Sequence, residues 1–215
     1  MAISLRNKKV LITAGPTWVK IDNVRVISNT ATGSTGILLA EKLTRLGAKV
    51  TLLLGPIGVS NLNKKIKVLP FQYFDELKVL LEKELRSKKY DISIHSAAVS
   101  DYRPVLIHKG KISSGLKKLN ISLRPTIKII NIFKKLQPRA FLVGFKFEPG
   151  APKLKLIKEA KELSLRTKAE IVVANTLDKG RYLAYLVAGN KISGPIYSKN
   201  EAVKELIKAI GILGK

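Results

Sequence analysis

A long polar loop near the amino terminus of this 215-residue chain carries residue types that bind phosphate groups. It contains Gly15, Gly33 and Gly36, whose missing side chains would let backbone amides approach phosphate oxygens closely. Arg25 and Asn29 lie between these glycines, and a guanidinium or an amide can hydrogen-bond phosphate or carboxylate. The loop therefore predicts a nucleotide-sized site, although each of these residues taken alone could equally stabilise a turn.

Two later segments add further candidates. Asp101 follows the small residues Ala97 and Ala98, and its carboxylate could bind a hydroxyl group or Mg²⁺, or cap the next turn. Lys111 follows a glycine in a basic segment and could neutralise a triphosphate in a transition state. Among 40 basic residues, position alone does not single out this lysine.

Other catalytic side chains are scarce. The chain has no cysteine, which excludes disulfides, a thiol nucleophile and a thiolate metal site. Its two histidines, His95 and His108, have no evident partner in the sequence, and we interpret both as structural or surface residues. No metal-ligand set can be assigned.

The elements around the first loop predict where it lies. A short apolar strand at 10–12 precedes the loop, a helix begins near Gly36 and stops before Gly47, and a second strand spans 50–54. A strand, a crossover helix and a parallel strand form a right-handed unit. The loop is therefore expected at the carboxyl end of a parallel sheet, where such sheets bind ligands.

The remaining pattern predicts an α/β fold, a three-layer sandwich with a Rossmann-like, mostly parallel sheet, as one domain over 1–215. Residues Gly189-Asn190 indicate a C-terminal antiparallel hairpin, and Ser198-x-x-Glu201 is a capping box for the last helix. The basic segment 105–125 is expected to form an active-site flap, with a strand over 119–123. Further strands are predicted at 65–69, 91–95, 140–145 and 171–174, and helices at 74–85, 126–136 and 153–168.

Two other functions were considered, nucleic-acid binding and oxidoreduction. The net charge of +25 would attract anions, including nucleic acid, but the lysines are dispersed and no aromatic residues mark a base-stacking surface. An NADP-dependent short-chain-type oxidoreductase is disfavoured because the glycines are not spaced G-x-G-x-x-G directly after the strand. With neither an apolar stretch of membrane-spanning length nor a signal peptide, a cytoplasmic location is expected.

Several separated segments together resemble one family, phosphopantothenate–cysteine ligase of coenzyme A biosynthesis. They occur in consistent order and cover most of the chain: Thr13-Ala14-Gly15-Pro16-Thr17, Ile21-Asp22-x-Val24-Arg25-x-Ile27-Ser28-Asn29, Thr32-Gly33-x-x-Gly36, Ala97-Ala98-Val99-Ser100-Asp101-Tyr102-Arg103-Pro104, Lys111-Ile112-Ser113-Ser114, Val143-Gly144-Phe145-Lys146-x-Glu148 and Val172-Val173-Ala174-Asn175. Any one motif is weak, whereas the ordered set is specific.

The resemblance implies a ligase that joins 4′-phosphopantothenate to L-cysteine through an acyl-nucleotide, with Mg²⁺ and either CTP or ATP. It implies nucleotide contacts at Gly15, Gly33, Gly36, Lys111, Phe145 and Asn175, and substrate contacts at Arg25, Asn29, Ala97, Ala98 and Asp101. Asn29 and Lys111 would be catalytic, and a homodimer would share the site, with Arg25 coming from the other subunit. The flavin-dependent decarboxylase often fused ahead of this segment is expected to be absent.

Overall fold

The structure, a computed structural model, describes residues 5–59 and 61–213. Residues 1–4, on which the expectation of no signal peptide partly rests, lie outside the described residues. Twelve strands and five helices occur in the described ranges. In chain order they are β1 (Lys9–Ala14), β2 (Trp18–Lys20), β3 (Val26–Ser28), α1 (Ser34–Arg45), β4 (Lys49–Leu54), β5 (Lys67–Pro70), α2 (Phe74–Ser87), β6 (Ile92–His95), β7 (Tyr102–Pro104), β8 (Leu123–Pro125), α3 (Ile130–Leu136), β9 (Phe141–Phe147), α4 (Lys153–Thr167), β10 (Ile171–Asp178), β11 (Arg181–Ala188), β12 (Lys191–Ile196) and α5 (Lys199–Leu213).

One eight-stranded sheet organises the fold, in the order β12-β11-β10-β9-β6-β1-β4-β5. The six strands from β10 to β5 are parallel, whereas β11 and β12 add as antiparallel neighbours. The predicted α/β class with a mostly parallel sheet is confirmed. The parallel strands are almost continuous apolar runs because both of their faces are covered.

The two faces carry separate apolar layers. Leu39 and Leu43 of α1 pack with α5 residues on one face, together with the alternate β1 residues Val10 and Ile12. Helices α2, α3 and α4 cover the other face, where Leu11 of β1 is buried. Adjacent residues of one strand thus enter opposite layers, as the two-residue period of a strand requires. The three-layer arrangement follows from this alternation.

The chain reverses its direction of travel across the sheet between β1 and β6. From β1 it moves through α1 to β4 and β5 on one side, and from β6 it moves to β9 and β10 on the other. Loops leaving the carboxyl ends of β1 and β6 therefore diverge and leave a crevice between them, where α/β sheets bind ligands. This switch point is where the glycine loop and the Ala97–Ala98 loop meet.

Four local features differ from the sequence prediction. The first polar loop contains a two-stranded ribbon, β2–β3, and β10 continues past Asn175 into a further hairpin with β11. The predicted strand at 119–123 is wrong over most of its length, because only Leu123–Pro125 pairs, with β7. Helix α3 begins at Ile130 rather than at 126, since Thr126 is bound to the preceding loop through Asp101 O and Ser100 O. Within the described ranges, no helix combines the length and apolarity needed to cross a membrane.

Candidate functional site

Backbone hydrogen bonds join the two loops at the switch point. The amide of Ala98 donates to Gly15 O at 2.9 Å, and the amide of Thr17 donates to Ala98 O at 3.2 Å. Asn29 then reaches the same carbonyl, with Nδ2 3.0 Å from Ala98 O. Three segments far apart in sequence thus meet at one point, and we call Gly15, Gly33, Gly36 and residues 96–98 the floor of the site.

The glycines of the floor are required by close packing. Gly15 and Gly33 have φ of 84° and 68°, which disfavours a side chain at either position. A Cβ at Gly33 would lie 3.1 Å from Gly15 N, and a Cβ at Gly36 would lie 2.5 Å from Ala14 Cβ and 2.6 Å from Ser96 Oγ. The close approach of chain segments therefore accounts for these glycines, and it also brings the start of α1 against the end of β1.

The amino terminus of α1 opens into this crevice. Gly33 caps the helix without a side-chain hydrogen bond, and the first helical bond runs from Ile37 N to Gly33 O. Of the preceding amides, that of Ser34 donates to Thr32 Oγ1 at 3.5 Å, whereas those of Thr35 and Gly36 have no acceptor among the described residues and lie at the positive end of the helix dipole. Lys199, at the start of α5, adds a cation there, because its Nζ lies 3.0 Å from Ser34 Oγ. The end of α1 is suited to negative charge.

Phe145 and Asn175 lie at the carboxyl ends of neighbouring parallel strands, β9 and β10. Phe145 packs partly against the apolar layer on the α1 side of the sheet. Asn175 follows Val173 of the same layer by two residues, so its side chain is on that side too. Both are partly exposed. The two residues therefore share a sheet face with the amino terminus of α1.

A buried carboxylate connects the β2–β3 turn to the predicted flap. Asp22 is 1% exposed, and it accepts hydrogen bonds from Val24 N, Arg25 N and Ile112 N at 2.7 to 3.0 Å. Arg25 completes the contact, with Nη1 2.7 Å from Asp22 Oδ2 and 3.1 Å from Ile112 O. Asp22 and Arg25 thus fasten the residue next to Lys111.

The hydrogen bond from the Ile112 amide is the largest influence on Asp22 and lowers the pKa of its carboxyl to about 2, against the opposing effect of burial. Two more backbone bonds, His108 N to Ile21 O and Asn23 N to Gly110 O, run alongside at 3.0 Å. Most other residues between β7 and β8 are exposed. We call residues 105–122 the flap.

Lys111 itself is exposed, and within residues 5–59 and 61–213 it forms no ion pair or side-chain hydrogen bond. The structure therefore ties its neighbour Ile112 to Asp22 while leaving the lysine side chain available. Arg25 contacts Ile112, the residue after Lys111, so these two predicted site residues lie near each other. Neither touches the floor directly in the described contacts.

Asp101 is engaged differently from the expectation of a ligand contact. Its Oδ1 lies 2.7 Å from Lys128 Nζ. The side chain of Asp101 is 61% exposed and that of Lys128 is 50% exposed. The preceding residue, Ser100, is buried and hydrogen-bonded to Thr17. No group of three or more His, Asp or Glu side chains that could hold a metal occurs among the residues described.

His95 is the last residue of β6 and directly precedes floor residues 96–98. Its Nδ1 lies 2.8 Å from Thr13 Oγ1, and its ring is 5.4 Å from the ring of Phe133. Burial lowers the pKa of this histidine to about 4, so it is neutral near pH 7. The interpretation of His95 as structural agrees with these contacts.

Sequence reasoning assigned no role to Asp22 or Lys199. Asp22 stood inside a quoted motif, and its Asp-x-x-Arg spacing with an intervening turn was the available signal for a side chain bonded to nearby amides. Lys199 had no comparable signal, because its contact with Ser34 joins residues 165 positions apart. Only the folded chain brings that pair together.

Comparison with known proteins gives concordant matches. Residues 5–210 match the family described as DNA/pantothenate metabolism flavoprotein, C-terminal domain. The coenzyme A biosynthesis bifunctional protein CoaBC of Thermococcus kodakarensis is 42% identical over 175 residues, covering 81% of this chain and 42% of that protein. The chain spans about half the length, or less, of the curated relatives it matches first.

Solved structures share the fold over nearly the whole chain. The DNA/pantothenate metabolism flavoprotein from Streptococcus pneumoniae superimposes with a TM-score of 0.86 at 26% identity, covering 95% of this chain and 99% of that one. The C-terminal domain of a coenzyme A biosynthesis bifunctional protein CoaBC gives 0.80 at 26% identity, covering 99% and 98%. The overall fold is thus shared with these proteins.

Proposed function

The chain belongs to the DNA/pantothenate metabolism flavoprotein C-terminal domain family, and from that premise we propose that it is a phosphopantothenate–cysteine ligase acting in coenzyme A biosynthesis. The observation that carries the proposal is the switch-point crevice, where Ala98 O accepts hydrogen bonds from Thr17 N and Asn29 Nδ2 beside the amino terminus of α1. Relatives named for coenzyme A biosynthesis support it.

The reaction has two steps. A carboxylate oxygen of 4′-phosphopantothenate attacks the α-phosphorus of a nucleoside triphosphate, and the bond to the β-phosphate oxygen breaks to release pyrophosphate. The amino nitrogen of cysteine then attacks the acyl carbon, loses a proton to solvent and displaces the nucleoside monophosphate. Both steps depend mainly on positioning, charge neutralisation and exclusion of water from the mixed anhydride.

We assign the nucleotide to the α1 side of the crevice. The amides of Thr35 and Gly36, which have no acceptor among the described residues, and the helix dipole favour phosphate oxygens there, and the floor glycines Gly15, Gly33 and Gly36 leave room for a close approach. Phe145 and Asn175 open on the same sheet face and are the proposed contacts for the rest of the nucleotide. Lys199 adds positive charge near Ser34.

Phosphopantothenate is assigned to the loops on the other side of Ala98. Asn29 is the proposed contact for the reacting carboxyl end, because its amide is already oriented by Ala98 O. Ala97, Ala98 and Asp101 line the same loop, and Asp101 would exchange its exposed Lys128 partner for a substrate group. Lys111 is the proposed cation for the phosphate charge that develops during the first step.

Mg²⁺ is proposed to enter with the triphosphate, since Mg²⁺ commonly binds substrate phosphates and water together with few protein ligands. The described residues offer no three-residue set for it, so no residue is assigned as its ligand. Whether the triphosphate is CTP or ATP is a property that the assay below decides. A homodimer with Arg25 shared across subunits is part of the same proposal.

The direct test is turnover. Purified protein is incubated with phosphopantothenate, Mg²⁺ and either CTP or ATP, with and without cysteine, while pyrophosphate and monophosphate release are followed. We expect pyrophosphate without cysteine to stop near one equivalent, and turnover when cysteine is present. No release with either nucleotide would overturn the proposed function.

Lys111→Gln tests the flap lysine. We expect the first-turnover rate of pyrophosphate release to fall by a factor of about 100, because removal of one transition-state charge contact typically costs that much. Lys117→Gln, also exposed in the flap, is the matched control and should keep a rate within about twofold of wild type. Equal rates for the two variants would refute the role of Lys111.

Sharing of the site between subunits is tested by mixing. Arg25→Ala and Asn29→Ala chains are each expected to be nearly inactive alone. If Arg25 serves the partner's site, mixed dimers contain one intact site and should recover up to about a quarter of wild-type activity in an equal mixture. Stable mixed dimers with no recovery would contradict sharing.

A further inference from the structure

A second cavity lies at the opposite edge of the sheet from the switch point. It has a volume of about 490 Å³ and is lined at the amino ends of β1, β4 and β5. Five of its lining residues are lysines, Lys9, Lys49, Lys65, Lys67 and Lys88, and the others are small, apolar or hydroxyl-bearing. The ligase chemistry described above uses none of these residues.

The sheet itself brings the lysines together. Lys9 begins β1, Lys49 begins β4 and Lys67 begins β5. Lys9 is the register partner of Lys49, and Thr51, two residues after Lys49, is the register partner of Lys67. Because neighbouring strands lie about 4.8 Å apart, the side chains of these three lysines begin close to one another. Like charges on adjacent strands destabilise a sheet unless an anion accompanies them.

Only part of this charge is neutralised by the protein. Glu84 pairs with Lys67 at 3.1 Å and with Lys88 at 2.8 Å, and its Oε2 also accepts a hydrogen bond from Tyr90 Oη at 2.6 Å. In the part of the chain that the structure describes, Lys9, Lys49 and Lys65 form no ion pair. A second carboxylate, Asp91, accepts a hydrogen bond from the backbone amide of Lys9 at 2.7 Å, so five lysines against two carboxylates leave three positive charges in excess around the cavity.

A buried hydrogen-bonded network lies next to this cavity. Glu84 and Tyr90 are 7% and 6% exposed, and the Tyr90 hydroxyl lies 3.2 Å from Thr51 Oγ1. Burial and the contact with Glu84 raise the pKa of Tyr90 to about 12, so the phenol stays protonated and donates to the carboxylate. Glu84 is thereby committed to the network and cannot offset the remaining lysines.

We propose that this cavity is a binding site for a small polyanion carrying at least two phosphate groups. Single phosphates would satisfy one or two of the lysines, whereas a chain of phosphates reaches several around a cavity of this size. The concave shape and the apolar wall of Val50 and Ala48 fit a compact ligand better than a nucleic-acid duplex, which is held by an extended basic surface. The proposal does not depend on the ligase reaction.

Inorganic tripolyphosphate is the probe, titrated by calorimetry into the full chain at one fixed salt concentration. The triple variant Lys9→Gln/Lys49→Gln/Lys65→Gln is compared with Lys158→Gln/Lys161→Gln/Lys204→Gln, whose lysines are exposed, unpaired in the described residues and on α4 and α5. Both triples lower the net charge equally, so general electrostatic attraction affects them alike.

We expect the cavity triple to lose one equivalent of tripolyphosphate binding or to bind it at least about tenfold more weakly, and the control triple to change by less than about twofold. Lys65→Gln alone should weaken binding in the same direction, which guards against misfolding of the triple, and far-UV circular dichroism checks both. Orthophosphate should bind more weakly than tripolyphosphate at this site.

Any of three results would overturn the proposal. Tripolyphosphate binding is weakened equally in both triple variants, or the cavity triple gives the same isotherm as wild type. In the third, all of the binding seen with wild type is also seen with the cavity triple. Tighter binding of a 20-nucleotide single-stranded DNA, lost equally in both triples, would indicate a general basic surface and also overturn it. Loss of ligase turnover affects none of these readouts, so the two proposals fail separately.

Discussion

The floor and the flap of the candidate site are built on different principles. The floor is fixed by backbone hydrogen bonds and by glycines that admit no Cβ, such as Gly36 with only 2.5 Å to Ala14 Cβ. The flap is mostly exposed, and Asp22, Arg25 and a few backbone bonds fasten it near Ile112. The floor is thus held by the backbone of the sheet, whereas the charge proposed for Lys111 lies on an exposed segment with few attachments.

This difference predicts separate consequences for mutation. A change in the floor should first alter the stability of the fold, because the atoms around it belong to the sheet. A change at the flap anchor should first alter catalysis, because few buried apolar groups depend on it. Three substitutions, beginning with the one expected to have the greatest effect, test that distinction.

The largest effect on stability is expected from Gly36→Ala. Alanine normally favours a helix over glycine by about 1 kcal/mol, but the added Cβ would overlap Ala14 Cβ, which cannot rotate away. We expect a net loss of about 2 kcal/mol in the free energy of unfolding, measured with urea. Gly115→Ala in the flap is the matched control: its Cβ meets only Ser113 Oγ at 3.7 Å, so stability should stay within about 0.5 kcal/mol. A stabilised Gly36→Ala variant would refute the packing role of the floor.

Asp22→Asn should reduce catalysis more than stability. Asparagine keeps the size of the side chain but loses the charge that Arg25 and the Ile112 amide hold. We expect pyrophosphate release to slow by about tenfold and tryptic cleavage within residues 105–122 to accelerate, as mapped by mass spectrometry. Asp178→Asn, exposed at a hairpin end, removes the same charge elsewhere. Unchanged flap cleavage in Asp22→Asn would show that this carboxylate does not anchor the flap.

The pH dependence of Asp22 has a defined sign. Its pKa is lowered from 3.8 to about 2 in the folded protein, so the unfolded chain binds the proton first as pH falls. The contact therefore contributes fully above about pH 4 and is lost as the pH falls towards 2. Mild acidification from neutral pH should therefore leave the contact between Asp22 and the flap intact.

A smaller effect on stability is expected from His95, which directly precedes floor residues 96–98 at the end of β6. Its folded pKa of about 4 lies below the unfolded value of 6.5, so the unfolded chain gains the proton first on acidification. The folded protein should lose about 1 kcal/mol of stability between pH 7 and pH 5.5. His95→Gln should flatten this dependence, whereas His108→Gln in the flap supplies the matched substitution. A pH slope unchanged by His95→Gln would show that the partly buried ring is not held neutral by its surroundings.

Sequence periodicity was sufficient for the layered sheet. Strands such as β1 and β4 are short apolar runs ended by glycine or proline, and the crossover rule then sets their direction and the position of the loop. The extended hairpin after Asn175 was missed because the turn at Lys179-Gly180 does not carry the strongest hairpin signal, although both residues have positive φ. Local pattern also could not show that Thr126 is held by Ser100 and Asp101, which delays α3.

The relative positions of the candidate site residues were predictable in proportion to how local the constraint on each residue is. The meeting of Gly15 with Ala98 follows from sheet topology, because neighbouring parallel strands end at one edge. The flap was expected from its length and composition, but its fastening at Asp22 depends on a contact across 90 residues. The lysines at the amino ends of β1, β4 and β5 gave no signal separately, since only strand register makes them neighbours.

The pairing of β7 with β8 makes the flap an exchangeable part. Pro104 and Leu123 are register partners, so the two ends of the intervening segment are held together independently of what lies between them. Lengthening a loop whose ends are already closed costs only about 0.6 kcal/mol for each doubling. A flap taken from a relative could thus be inserted between these two residues, provided that it restores a backbone amide to Asp22, and the charge proposed for Lys111 could be varied without rebuilding the sheet.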